Sequence, residues 1–158
     1  MNKAVMLSIK PEWCCMIFVG AKNVELRKSR PKTDLPLKCY IYETQAASEN
    51  PWVDEDGHFI FKGRGAVIGE FVCDRIEHLD LDSTGLGFWE NEDFQYLYEL
   101  HDWKTALTRQ EIINYCNGMR PYGWHISSLV GYDTPRPLSD FGLTRPPQSW
   151  CYVQEAET

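Results

Sequence analysis

The chain has 158 residues, 25% of them charged and 43% hydrophobic, with a formal net charge of −7. That length suits a single domain over 1–158 with a sizeable core. No apolar run approaches the ~20 residues of a membrane span, and the acidic balance excludes a generic duplex-DNA binder, which is basic over a broad face. The N-terminus carries no charged-then-apolar leader pattern, so no membrane association and a cytoplasmic location are expected.

Ala4 to Ile9 is β-type and mostly apolar, which predicts a buried strand. Lys10-Pro11-Glu12 punctuates it. Pro11 suits the first position of a helix, and Glu12 suits the positive end of the helix dipole. The helix is expected to run to about Val19, with Trp13, Met16 and Ile17 on one stripe and Gly20 as terminator. Val24 and Leu26 then alternate with Glu25 and Arg27, so a strand puts Glu25 and Arg27 on one face. Lys22 sits at the turn before them.

Leu37 to Thr44 is the next expected strand. Residues 45–65 read as a polar insertion in which Asp56-Gly57 is a hairpin signal. Gly65 to Ile76 predicts one long strand, with Gly69 marking a bulge or a barrel bend. Residues 79–107 read as a second insertion, with a helix expected over Glu92 to Leu100. Thr108-Arg109-Gln110-Glu111 is a capping box opening another helix, and Asn117-Gly118 ends it. Strands follow over Tyr122–Val130 and Gln148–Val153, with proline-rich segments between them. The sum is an α+β protein on a small, mostly antiparallel barrel with flanking helices.

The six cysteines include an adjacent pair but no Cys-x-x-Cys, which predicts reduced, mostly buried thiols. No paired ligands stand at zinc spacing, so neither a metal site nor any other cofactor is expected.

Charge is uneven. Residues 1–38 hold eight Lys and Arg against three acids, a net of +5, which leaves −12 for the rest. The cations gather at Lys22, Arg27, Lys28, Arg30 and Lys32, around the lone acid Glu25. Clustered like charges repel, so the run points to an anionic partner or to a solvated edge strand guarded by Lys and Arg. Arg supplies a planar fork for phosphate and Lys a mobile point charge. Trp13 and Trp124 are candidates for stacking on a base, or for core packing. His125 follows Trp124 and reads as a structural histidine or a catalytic one. Lys22 and Glu25 are the pair for chemistry: a desolvated lysine becomes a base or nucleophile, and a carboxylate orients it. A structural ion pair is the plain alternative.

Ser8-Ile9-Lys10-Pro11-Glu12-Trp13 followed by Gly20-x-Lys22-x-x-Glu25-x-Arg27 resembles the signature of ASCH-domain proteins in the PUA-like superfamily. The stretches Cys39–Thr44, Val67–Phe71, Tyr122–Ser127 and Pro146–Val153 are also similar to those of small stand-alone bacterial and phage members. The resemblance implies a PUA-like barrel with a cleft near the first helix-to-strand turn, and RNA or modified-nucleoside chemistry. Some members are amidohydrolases of acetylated cytidine, in which a Thr three positions after the motif's Lys is the proposed nucleophile. Here that position is Glu25, and a carboxylate replaces poorly a hydroxyl that must form a labile acyl intermediate.

The expected function is therefore binding of RNA, a nucleotide or a nucleoside. Lys10, Lys22, Arg27 and Arg30 are assigned to phosphate, and Trp13 or Trp124, with His125 nearby, to a base. Glu25 is assigned to an amino edge or to Lys22. The alternative is a hydrolase of a modified nucleoside, or a ribonuclease, using Lys22 and Glu25. The oligomeric state is open.

Overall fold

The computed structural model describes residues 2–45, 55–57, 63–78, 97–100 and 103–156. The first strand, β1 (Lys3–Ile9), leads into helix α1 (Pro11–Phe18), with Pro11 at its start and Glu12 in its first turn as the punctuation predicts. Gly20 takes a left-handed φ of 81° and ends the helix. Strand β2 (Val24–Arg27) follows, then β3 (Leu37–Glu43).

The long strand expected over 65–76 is two, β4 (Ala66–Cys73) and β5 (Ile76–His78). Asp74-Arg75 lets the chain leave one sheet and join another, a change that no Gly or Pro marks in the sequence. In the same way Tyr122–Val130 divides into β8 (Tyr122–His125) and β9 (Ser127–Arg136), β9 running on into the first of the proline-rich segments. Between β5 and β8 lie β6 (Leu97–Leu100), β7 (Trp103–Thr108) and helix α2 (Arg109–Cys116). The helix expected over 92–100 is thus corrected in its last four residues. Leu97–Leu100 is a strand because its backbone pairs antiparallel with β7, and tertiary pairing overrides local propensity. The rest of that expected helix, most of both insertions and the strands of the expected hairpin lie outside the described residues; residues 55–57 form a turn with Gly57 at φ 86°. A 3-10 turn at Leu138–Phe141 precedes β10 (Trp150–Gln154).

The strands form a five-stranded sheet in the order β10-β1-β3-β4-β9, a three-stranded sheet β2-β8-β5 and the hairpin β6-β7. Among the described residues all ladders are antiparallel except β1 with β3. The protein is therefore α+β and mostly antiparallel. Among the described residues no ladder joins the five-stranded sheet to the three-stranded one, so hydrogen bonding between them does not close a barrel.

The main core holds Val5, Leu7 and Ile9 of β1, Ile17 of α1, Ile41 and Phe71 of the large sheet and Trp124 of the small one. The ladder slips at Gly69, as its position predicted. A Cβ there would stand 2.8 Å from Phe18 Cζ and 2.5 Å from the Val130 carbonyl oxygen, so the glycine makes the slot that seats α1 on the sheet. The other face of β2 is covered by α2, where Val24 and Leu26 pack on Ile112 and Cys116. The six cysteines are free thiols, four of them buried. No helix among the described residues is long and apolar enough to cross a membrane.

Candidate functional site

The site grows from the end of α1. The Ala21 and Lys22 N–H groups both donate to the Met16 carbonyl, at 2.9 and 3.0 Å, so the chain doubles back and delivers Lys22 inward. Asn23 fixes the next step: its N–H donates to the Lys104 carbonyl at 2.8 Å, and its side-chain oxygen accepts from the Lys104 N–H at 2.7 Å. This clamp ties β2 to β7. Next to it Ala106 holds a left-handed φ of 58°, an uncommon conformation for a residue with a Cβ. That kink lies between Thr105, whose carbonyl accepts from Lys22 Nζ at 2.5 Å, and Leu107, which lines the cleft.

The result is a cleft of about 240 Å³ lined by Lys10 and Trp13 of the α1 start, Lys22, Glu25 and Leu26 around β2, Leu107 of β7, and Glu111 and Tyr115 of α2. Lys22 is 2% exposed and Glu25 7%. Lys22 Nζ lies 3.3 Å from Glu25 Oε2 and 5.8 Å from the centre of the Trp13 ring. Burial pulls the Lys22 pKa below its ordinary value of 10.5, and Glu25 pulls in the opposite direction. Oε2 lines the cleft as a buried acceptor whose contact with Lys22 is an ion pair, with no hydrogen-bond partner assigned to it among the described residues.

Arg27 plays a different part from the one its charge suggests. Its Nη1 donates to the Ser149 carbonyl at 3.0 Å and to Ser149 Oγ at 3.2 Å. Its Nη2 donates to the Ser8 carbonyl at 2.7 Å and to Glu25 Oε1 at 3.0 Å. The guanidinium is a buried strut linking β2 to the end of β1 and to the residue before β10, and it fixes one oxygen of Glu25.

The other sequence candidates are spread more widely. Trp124 pairs across the ladder with Glu25 and shares its face, but it is fully buried and packs edge-on to Trp150 at 5.6 Å. Both its faces lie in the core. His125 pairs with Val24 and so points to the opposite face from Glu25. Its Nδ1 lies 3.0 Å from Arg75 Nη2, and its Nε2 3.6 Å from Glu77 Oε2, away from the cleft. Arg30 is exposed and lines a second, more open groove of about 640 Å³ with Lys28, Lys32 and Tyr122. The structure thus gathers Lys10, Trp13, Lys22 and Glu25 at one cleft, uses Arg27 to brace it, and separates Trp124, His125 and Arg30 from it.

Sequence reasoning missed Leu107, Glu111 and Tyr115. The only signal was the four-residue spacing of Glu111 and Tyr115, which puts both on one face of α2. Among the described residues no group of three or more His, Cys, Asp or Glu side chains could hold a metal ion.

Comparison with solved structures supplies the fold. The chain matches the crystal structure of the ASCH protein from Zymomonas mobilis at a TM-score of 0.64 and 18% identity, over 96% of this chain and 88% of that one. The chain has the ASCH fold. A Tyr-to-Phe variant of the same Zymomonas protein matches at 0.64 and 19% identity, over 98% of this chain and 92% of that one. A Ser-to-Ala variant matches at 0.62 and 19%, over 96% and 89%. No family model matches the chain, and no curated protein does. The Gly20-to-Arg27 motif that carries the resemblance to ASCH proteins therefore coincides, within this ASCH fold, with the turn and strand that build the cleft.

Proposed function

We propose that the ASCH-fold chain binds RNA, taking one unpaired base into the cleft beside α1. The observation that carries this is the buried Glu25 Oε2, ion-paired to Lys22 at 3.3 Å but with no hydrogen-bond partner assigned among the described residues, in a cleft walled by Trp13 and Tyr115. A carboxylate oxygen has two lone pairs, so one ion-paired neighbour leaves it able to accept from a further donor. A carboxylate accepts from the amino group of cytosine, and an aromatic wall stacks a base. The cleft is smaller than the pockets that take drug-sized ligands, which suits a single base or nucleoside. Arg27 holds the other carboxylate oxygen, so Glu25 is oriented before the ligand arrives.

The test is calorimetric titration with cytidine and uridine, in the native protein and in Glu25→Gln. Native protein prefers cytidine by about 1–3 kcal/mol, the discrimination of one good base-edge contact. Glu25→Gln loses that preference while remaining folded by circular dichroism. Equal affinity for the two nucleosides in the native protein sinks the reading.

A second reading is catalytic: hydrolysis of a modified nucleoside, or cleavage of RNA, by Lys22 and Glu25. Burial lowers the Lys22 pKa, which raises the share of neutral, nucleophilic amine. Turnover of acylated cytidine or of labelled RNA by the native protein, lost in a folded Lys22→Ala variant, would establish it. No turnover of either substrate removes it.

A further inference from the structure

We infer that the groove under the loop of residues 28–35 is a phosphate track for single-stranded RNA, continuous with the base cleft. The inference rests on the cleft reading for where the strand begins. Three cations, Lys28, Arg30 and Lys32, line the groove against one acid, Asp34, and none of the three makes an ion pair among the described residues. Six other cations are ion-paired among the described residues, Lys22 and Arg27 to Glu25, Lys38 to Glu70 and Glu155, Arg64 to Glu43, Arg75 to Glu77 and Arg136 to Asp140, whereas these three stand together without one. Three like charges within five residues repel one another unless an anion joins them.

The loop that carries them is fixed before any ligand binds. The Ser29 carbonyl accepts from Trp124 Nε1 at 3.3 Å, and Ser29 Oγ from Trp150 Nε1 at 2.9 Å. The Lys32 N–H donates to Tyr152 Oη at 2.8 Å. Trp124 and Tyr152 thus hold the loop backbone and Trp150 the Ser29 hydroxyl, which lowers the ordering cost of binding.

Continuity comes from Lys28. Its Nζ lies 5.1 Å from the centre of the Tyr115 ring, and Tyr115 is a wall of the base cleft. Lys28 also lines the groove. A strand whose base enters the cleft therefore meets Lys28 as it leaves, then Arg30 and Lys32. The groove is open and, at about 640 Å³ against 240 Å³, larger than the cleft, as a strand passing through requires. An unpaired base in the cleft selects single-stranded RNA over duplex, and the acidic remainder of the surface repels the strand elsewhere.

The test is fluorescence anisotropy with a labelled single-stranded RNA of mixed sequence, in native protein and in the double variant Arg30→Gln, Lys32→Gln, with cytidine titrated into both. Three phosphate contacts give a log–log salt slope of about −2, a loss of roughly 20-fold between about 50 and 200 mM salt. The double variant keeps about one contact, so its loss over the same range falls to roughly threefold. Cytidine, which carries no phosphate, binds both proteins equally.

If cytidine binds but the RNA slope is the same in both proteins, the track is wrong and the cleft stands. If the slope changes as expected but cytidine does not bind, the track stands and the cleft reading falls. If neither ligand binds at low salt, both fall.

Discussion

Arg27→Ala is expected to lower the stability of the fold by about 3–5 kcal/mol, the cost of breaking a buried ion pair by removing one partner. Arg27 is 7% exposed and makes four short contacts, to Glu25, Ser8 and Ser149. Alanine leaves the Ser8 and Ser149 carbonyls without these donors and leaves Glu25 with Lys22 as its remaining counter-charge among the described residues. Arg27→Lys recovers only part of the loss, because an ammonium cannot reproduce a planar fork reaching acceptors on both its terminal nitrogens. Urea unfolding of both variants measures this. A cation that serves only to meet solvent phosphate contributes about 0–1 kcal/mol. A loss within that range would place Arg27 at the ligand and remove the strut.

This contrast shows what the sequence could and could not carry. The β1-α1-β2 unit was legible because local signals agree on it: an apolar strand, Pro11 and Glu12 opening a helix, Gly20 closing it, then alternation. The same alternation correctly joined Glu25 and Arg27 on one face. It could not say what that face meets. The acceptors of Arg27 are backbone carbonyls 19 and 122 residues away, and a carbonyl leaves no mark in a sequence. The strand breaks at Asp74-Arg75 and at Ile126 were hidden for a related reason. Strand-type residues resume directly after both, with no Gly or Pro to mark a turn, and the pairing partner changes.

The cleft was half legible. Lys10, Trp13, Lys22 and Glu25 come from one continuous stretch whose motif marks it. The opposite wall, Leu107, Glu111 and Tyr115, arrives from beyond residue 79 through the Asn23–Lys104 clamp. That contact is tertiary, and no local period encodes it. The charge run was read as one site, whereas burial divides it. Lys22 and Arg27 turn inward and are compensated, while Lys28, Arg30 and Lys32 stay at the surface.

Trp124→Ala should cost about 3–5 kcal/mol, as truncation of a fully buried aromatic does. Trp124 has no exposed surface and stands at the centre of the three-stranded sheet, opposite Glu25 on one side and Ile76 on the other. The change opens a cavity between the two larger sheets and removes the N–H donor to Ser29. Trp124→Phe separates these two effects. It keeps most of the buried area and loses the hydrogen bond, worth about 1 kcal/mol. Its signature is local: faster amide hydrogen exchange over residues 28–32, and weaker single-stranded RNA binding through a loosened loop, with cytidine binding unchanged. Loop exchange identical to native in Trp124→Phe would show that Trp150 and Tyr152 hold the loop without it. A Trp124→Ala variant as stable as native but unable to bind cytidine would return Trp124 to the stacking role that its aromatic neighbours suggested. Its burial argues against that outcome, since a base can stack only on a ring face that the fold leaves open.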